Sequence, residues 1–428
     1  MIQPRKIMNQ EIIRGPRARS GCWKGFRLVV LCLAGCGALQ GGGVRAGVQG
    51  GAIESWLAKP LDERPKDARA LKAPLTKVEA LRVHQLLVDD LATRLVKERK
   101  DEVEKKVITL GDKVMPWLEK TCGQAPKDGR SLWISMHGGG GAPKSVNDGQ
   151  WKNQLGLYNP PEGVYIAPRA ATDTACLWYE GHIDPMFQRL IEDQVLFAGV
   201  NPDKVYLMGY SAGGDGVWQL SPRMADRFAA ASMMAGHPNG VPLLGLRNLP
   251  FAIFVGELDA AYARNAAVIG HTKVLDQLEK DDSGSYVHLL RVYQGLGHWM
   301  NLKDAEAVPW MAKYQRQTWP RKIVWPGNAQ HRRFYWLRIP DDAEPARKMT
   351  ARVETNTIHL DGEVPARTEL RLSDDLLDLD QPVVLIVNGK QVFSGKVARN
   401  AAAILRCLNE RFDPKAAATA ICTLPDTP

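Results

Sequence analysis

The stretch N-P-D-K-V-Y-L-M-G-Y-S-A-G-G, residues 201–214, governs how the rest of the chain is read. The apolar run V-Y-L-M has the length and composition of a buried strand. It leads into Gly209-Tyr210-Ser211-Ala212-Gly213, a G-x-S-x-G pattern. Glycines around one serine permit a tight strand-to-helix turn from which the Ser211 hydroxyl would project. A pentapeptide this short also arises by chance. An ordinary loop serine is the competing reading, and the surrounding chain has to decide between them.

Working outward, short apolar runs recur at 131–136, 163–168, 229–236, 251–256 and 287–293. Amphipathic stretches at 182–199, 263–280 and 304–314 separate several of them, and a helix is expected soon after Ala212, breaking near Pro222. Unalternated strands interleaved with helices predict a mostly parallel sheet covered on both faces. This unit is expected over 126–318. Leucines at three- and four-residue spacing make 61–125 a helical N-terminal segment. Glycine-rich 37–60 reads as a flexible tether, 319–329 as a linker, and 330–428 as a small β-rich domain. Its clearest element is a strand–turn–strand with Asn388-Gly389 at the turn.

Four features could carry chemistry alongside Ser211. His137-Gly138-Gly139-Gly140-Gly141 directly follows the 131–136 strand. Glycines let a backbone approach and turn, so the Gly138 or Gly139 N–H, with that of Ala212, could face a developing oxyanion. No Gly-Lys-Ser/Thr follows, which argues against a phosphate loop; His137 itself reads as a structural anchor. Asp259 follows the 251–256 strand and is preferred as an orienting acid, with Glu257 its rival. His298, in G-L-G-H-W, follows the last strand of the unit and is the candidate base. Parallel strands would bring all of these to one sheet edge. Trp178, Tyr179, His237 and Trp299 are candidate substrate-binding residues. Asp215 is either a helix-start carboxylate or a pocket group.

With these pieces in the order Ser211, Asp259, His298, the chain resembles the α/β-hydrolases of the esterase and polyhydroxybutyrate-depolymerase-like group, which includes feruloyl and acetylxylan esterases. The resemblance covers roughly 130–317. It implies an α/β-hydrolase fold and a serine esterase working through an acyl-enzyme, without metal or cofactor, on small, carbohydrate-linked or polymeric esters. A serine exopeptidase-like hydrolase and a non-catalytic surface-binding lipoprotein are the alternatives.

The formal charge of +9 invites a nucleic-acid reading, but residues 1–35 hold seven Lys or Arg against Glu11 alone, hence +6 of it. The remaining charges are interspersed, so no nucleic-acid partner is expected. Lys24 and Arg27 precede an apolar run at 28–34 that is too short to span a bilayer. This is the pattern of an export signal. Leu33-Ala34-Gly35-Cys36 resembles a bacterial lipobox, implying lipidation at Cys36 and residence in the periplasm or at the cell surface. Of seven cysteines, Cys407 and Cys422 are close enough in sequence to pair in an exported chain.

Overall fold

The computed structural model describes residues 48–327, 330–344 and 348–426. Cys36 and the expected export signal lie outside them. Eight strands form the central sheet: β1 (Val107–Leu110), β2 (Lys113–Cys122), β3 (Arg130–Met136), β4 (Gly163–Pro168), β5 (Val200–Tyr210), β6 (Ala230–Met234), β7 (Phe251–Gly256) and β8 (His288–Tyr293). Their order is β1-β2-β4-β3-β5-β6-β7-β8. From β4 to β8 every pairing is parallel; β2 runs antiparallel to both β1 and β4. The apolar runs are continuous because both faces are covered. In β3, Leu132 and Ile134 join one core cluster while Trp133, between them, joins Tyr165, Tyr206 and Phe254 in the cluster on the other face.

The helical reading of 61–125 fails over 107–122, which is β-hairpin. Helix α1 (Val48–Leu57), α2 (Arg69–Lys72) and α3 (Lys77–Lys105) precede the sheet. Helix α3 opens on a capping box, in which the Thr76 hydroxyl accepts from the Glu79 N–H and the Glu79 carboxylate accepts from the Thr76 N–H. It ends at Lys106 in the left-handed conformation, and β1 and β2 follow as a hairpin turning at Gly111-Asp112. Alternation puts Ile108, Met115 and Trp117 inward, so 107–122 extends the sheet. The tether reading of 37–60 also fails over its described part, because Ile53 and Trp56 of α1 are buried against α3.

Helices α4 (Lys144–Leu157), α5 (Ile183–Phe197), α6 (Ala212–Arg223), α7 (Arg264–Asp281) and α8 (Ala307–Met311) accompany the sheet, with α9 (Ala401–Glu410) near the end of the chain. The β-rich end forms β9 (Lys322–Trp325), β10 (Arg333–Phe334), β11 (Leu337–Arg338), β12 (Met349–Glu354), β13 (Thr357–Gly362), β14 (Glu369–Leu372), β15 (Val383–Val387), β16 (Lys390–Gly395) and β17 (Ala420–Thr423). They make a five-stranded sheet, β16-β15-β13-β12-β9, and a four-stranded one, β10-β11-β14-β17. Asn388 and Gly389 turn β15 into β16 with φ of 48° and 80°, the left-handed pair that a tight hairpin needs. The expected linker at 319–329 is a correction: β9 within it is paired with β12. The pairing open to Cys407 and Cys422 is not made. Both residues are buried and free, because Cys407 sits in the α1–α3–α9 cluster and Cys422 in the main core.

The β-rich end is not a separate body. The described residues form one compact unit, and one apolar cluster runs from Ile134 and Leu207 through Trp325 and Trp336 to Leu385. A buried ion network fastens it. Arg316 donates to Asp203 from Nε at 3.1 Å and to Asp413 from Nη2 at 3.0 Å, with 7% of Arg316 exposed. Burial alone would raise the Asp413 carboxyl, yet the Arg316 charge and hydrogen bonds hold it well below the ordinary range. A carboxyl depressed in the folded state contributes stability at neutral pH that is lost as pH falls through its folded value. Arg316→Met, which leaves two carboxylates without their cation, should cost about 3–5 kcal/mol in urea unfolding at pH 7. The deficit should shrink toward acid pH.

Candidate active site

Strand β5 ends at Tyr210 and α6 starts at Ala212, so Ser211 is the whole turn between them. Its φ of 57° and ψ of −122° are strained for a residue with a Cβ. The strain is held by hydrogen bonds from the Ser211 N–H to the Met234 carbonyl (2.8 Å) and from the Asp215 N–H to the Ser211 carbonyl (3.0 Å). Close approach explains the flanking glycines. A Cβ on Gly209 would fall 2.4 Å from the Gly213 carbonyl oxygen, and one on Gly213 would fall 2.2 Å from that of Met136.

The candidate base and acid arrive on the loops after β8 and β7. His298 Nε2 lies 2.9 Å from Ser211 Oγ, and His298 Nδ1 lies 2.9 Å from Asp259 Oδ2. Asp259 is buried. Burial works to raise its carboxyl, but hydrogen bonds and charge from His298 and Arg264 hold it below the usual value. Glu257, the rival, is exposed and accepts from the Gly295 N–H at 2.8 Å, a loop bond away from the imidazole. Tyr210, next to Ser211, clamps the base loop. Its hydroxyl donates to the His298 carbonyl (2.6 Å) and accepts from the Met300 N–H (3.2 Å). Neither this clamp nor Arg264 was signalled by any motif.

The glycine loop is anchored from below by His137, which is fully buried. Burial pushes its pKa down to about 4, so the ring is neutral. Nδ1–H donates to the Gly138 carbonyl (2.6 Å), and Nε2 accepts from the Ala170 N–H (3.2 Å). Trp178 borders neither cleft at Ser211. It was expected at the substrate, but its ring is fully buried under the loop, with Nε1–H donating to the His137 carbonyl at 2.8 Å. Gly138 is buried, a Cβ on it falling 3.1 Å from that of Ser211, while Gly139 is exposed.

Asn147, fully buried at the start of α4, sets the loop's shape. Its Oδ1 accepts from the Gly140 N–H (2.9 Å), and its Nδ2 donates to the Ala142 carbonyl (3.2 Å) and to Asp173 (2.7 Å). A Cβ on Gly139, whose φ is 109°, would fall 2.1 Å from that Oδ1. Gly140 is therefore occupied, and no described backbone carbonyl or side chain takes the Gly139 N–H. Asn147→Ala frees the loop and should lower kcat roughly 10–100-fold, with a smaller effect on KM, in steady-state ester hydrolysis.

Two clefts meet at Ser211. One, of about 740 Å³, has Gln150, Asn153, Gln154, Tyr210 and Trp299 in its walls. Trp299 is 48% exposed, with its ring 5.6 Å from that of Tyr210. The other, of about 920 Å³, includes Tyr179, Asp215, His237, Asn239, Tyr262 and Arg264. Three of the four expected substrate residues, Tyr179, His237 and Trp299, thus border the site. Asp215 fills both of its expected places, standing in the first turn of α6 and in the cleft wall. Burial raises its carboxyl, and Oδ1 accepts from the His237 N–H at 2.6 Å.

No protein-family model matches the chain, and no curated protein does. Among solved structures it is similar to a thermostable esterase, with 15% identity and a TM-score of 0.36, over 49% of this chain and 62% of that one. It is also similar to a ferulic acid esterase (14%, 0.32, over 46% and 98%). A third is LpqC, a poly(3-hydroxybutyrate) depolymerase from Bordetella parapertussis (16%, 0.35, over 47% and 82%). The chain spans less than two thirds of the thermostable esterase. By its own strand order, its serine turn after β5 and the loops bearing Asp259 and His298, the central unit has the α/β-hydrolase fold.

Proposed function

We propose that the protein is a serine hydrolase of carboxylic esters, with Ser211 as nucleophile, His298 as base and Asp259 as its orienting acid. The carrying observation is the unbroken chain Ser211 Oγ–His298–Asp259 at 2.9 Å per link. Ser211 Oγ attacks the ester carbonyl as its proton passes to His298 Nε2. Asp259 holds the ring with Nδ1 protonated and faces the imidazolium. The N–H groups of Ala212 and Gly139 stabilise the tetrahedral oxyanion. The carbon–oxygen bond to the alcohol then breaks, and His298 returns the proton to the leaving oxygen. Water, deprotonated by His298, attacks the acyl-enzyme and releases the acid and free Ser211.

The clefts support substrates of polar character. Gln150, Asn153 and Asn239 supply amides, and Trp299 supplies an exposed ring face. Carbohydrate-linked or polymeric esters fit these walls better than a long alkyl chain, which needs apolar area. The test is a screen of the purified protein against acetylated and feruloylated saccharides, short lipid esters, polyesters and aminoacyl amides. Turnover of the first class above the others is expected; turnover confined to the amides would replace the esterase reading with a peptidase one. We also propose export with lipidation at Cys36. Mass spectrometry of the mature N-terminus should find a diacylglyceryl group on that cysteine, and cleavage elsewhere would contradict it.

A further inference from the structure

The triad carboxylate is shared. Asp259 Oδ2 meets His298 Nδ1, while Oδ1 accepts from Arg264 Nη1 at 2.6 Å. That same Nη1 stands 3.1 Å from His298 Nδ1. Arg264 is 7% exposed, its Nε has no acceptor among the described residues, and its ion pair is with Asp259. The Asp259 carboxylate, an acceptor only, keeps the proton of the neutral ring on His298 Nδ1. With the proton on Nδ1 the ring donates to Asp259, and Nε2 is free to take the Ser211 proton. Arg264 Nη1, itself a donor, then stands against Nδ1–H with no hydrogen bond between them. A guanidinium this near opposes positive charge on the ring during catalysis. Arg264 thus restrains the site electrostatically, and an anion that drew the guanidinium away would lift that restraint.

The approach for such an anion exists, since Arg264 lies in the wall of the 920 Å³ cleft beside Ser211. The one carboxylate among its described lining residues, Asp215, is already bonded to the His237 N–H. Tyr179 and Asn239 add hydrogen-bonding groups to the same wall. Given the Ser211 hydrolase reading, on which this rests, we propose that the substrate is an ester bearing a carboxylate, bound in this cleft by Arg264, which is thereby a specificity-determining residue.

The experiment compares kcat/KM for two carboxylated esters with their methyl-capped neutral counterparts. 4-Nitrophenyl succinate carries the charge on the acyl side, and 4-acetoxybenzoate carries it on the alcohol side. In the unaltered protein, one of the two charged esters should exceed its neutral partner by about tenfold. Arg264→Met should cross the pattern over, lowering the charged ester about tenfold and raising the neutral one about threefold. Arg264→Lys, which keeps the cation, should retain part of the preference. A residue needed only for folding would lower both esters together. No preference in the unaltered protein, or parallel loss in Arg264→Met, overturns the proposal. Hydrolysis that survives Ser211→Ala would instead overturn the hydrolase reading beneath it.

Discussion

Ser211→Ala should lower kcat toward a short-acyl nitrophenyl ester by about 10⁴–10⁶-fold while leaving the fold intact. The size of the effect follows from the site. Among the described residues no other hydroxyl or thiol is hydrogen-bonded to the His298 ring, so no second nucleophile can inherit the reaction. The Ser211 contacts that hold the turn are made by its backbone, to Met234 and from Asp215, and alanine keeps both. Circular dichroism and the melting temperature should therefore match the parent. What activity remains would come from the amides of Ala212 and Gly139 and from positioning alone. A loss of less than tenfold would place the nucleophile elsewhere.

Asp259→Asn should follow at about 10⁴-fold in kcat. The asparagine has one acceptor where the carboxylate has two. Its Oδ1 stays with the buried cation Arg264, which has no other carboxylate partner among the described residues, and its Nδ2 then faces His298 Nδ1. Two donors cannot face each other, so the ring takes the tautomer with its proton on Nε2 and cannot accept from Ser211. Glu257→Gln, altering an exposed loop bond to Gly295, should leave the rate near that of the parent. The pair of variants, assayed side by side, separates the two acidic candidates.

The serine turn, the glycine loop and the order of Ser211, Asp259 and His298 were legible because each is a local signal at the end of an apolar run. A parallel sheet brings such ends together without further instruction. The hairpin at 107–122 was not legible. The helical spacing of α3 runs up to it, and its Gly111-Asp112 turn is brief. Trp178 shows a second limit: an aromatic in a loop looks the same in sequence whether it lines a cleft or lies buried under one. Arg264 and Tyr210 show a third. Each acts on His298 from 34 and 88 residues away, through contacts that no spacing encodes. The β-rich end read as a separate domain because its alternation differs, yet its strands share one core with the central unit.

The most direct measurement is to trap the acyl-enzyme. The protein is mixed briefly with a nitrophenyl ester, quenched in acid and digested for mass spectrometry. The mass of one acyl group is expected on the peptide carrying Ser211, appearing with a burst of nitrophenol and absent in Ser211→Ala. Nitrophenol release without that adduct, or an acyl group on another residue, would contradict Ser211 as the nucleophile.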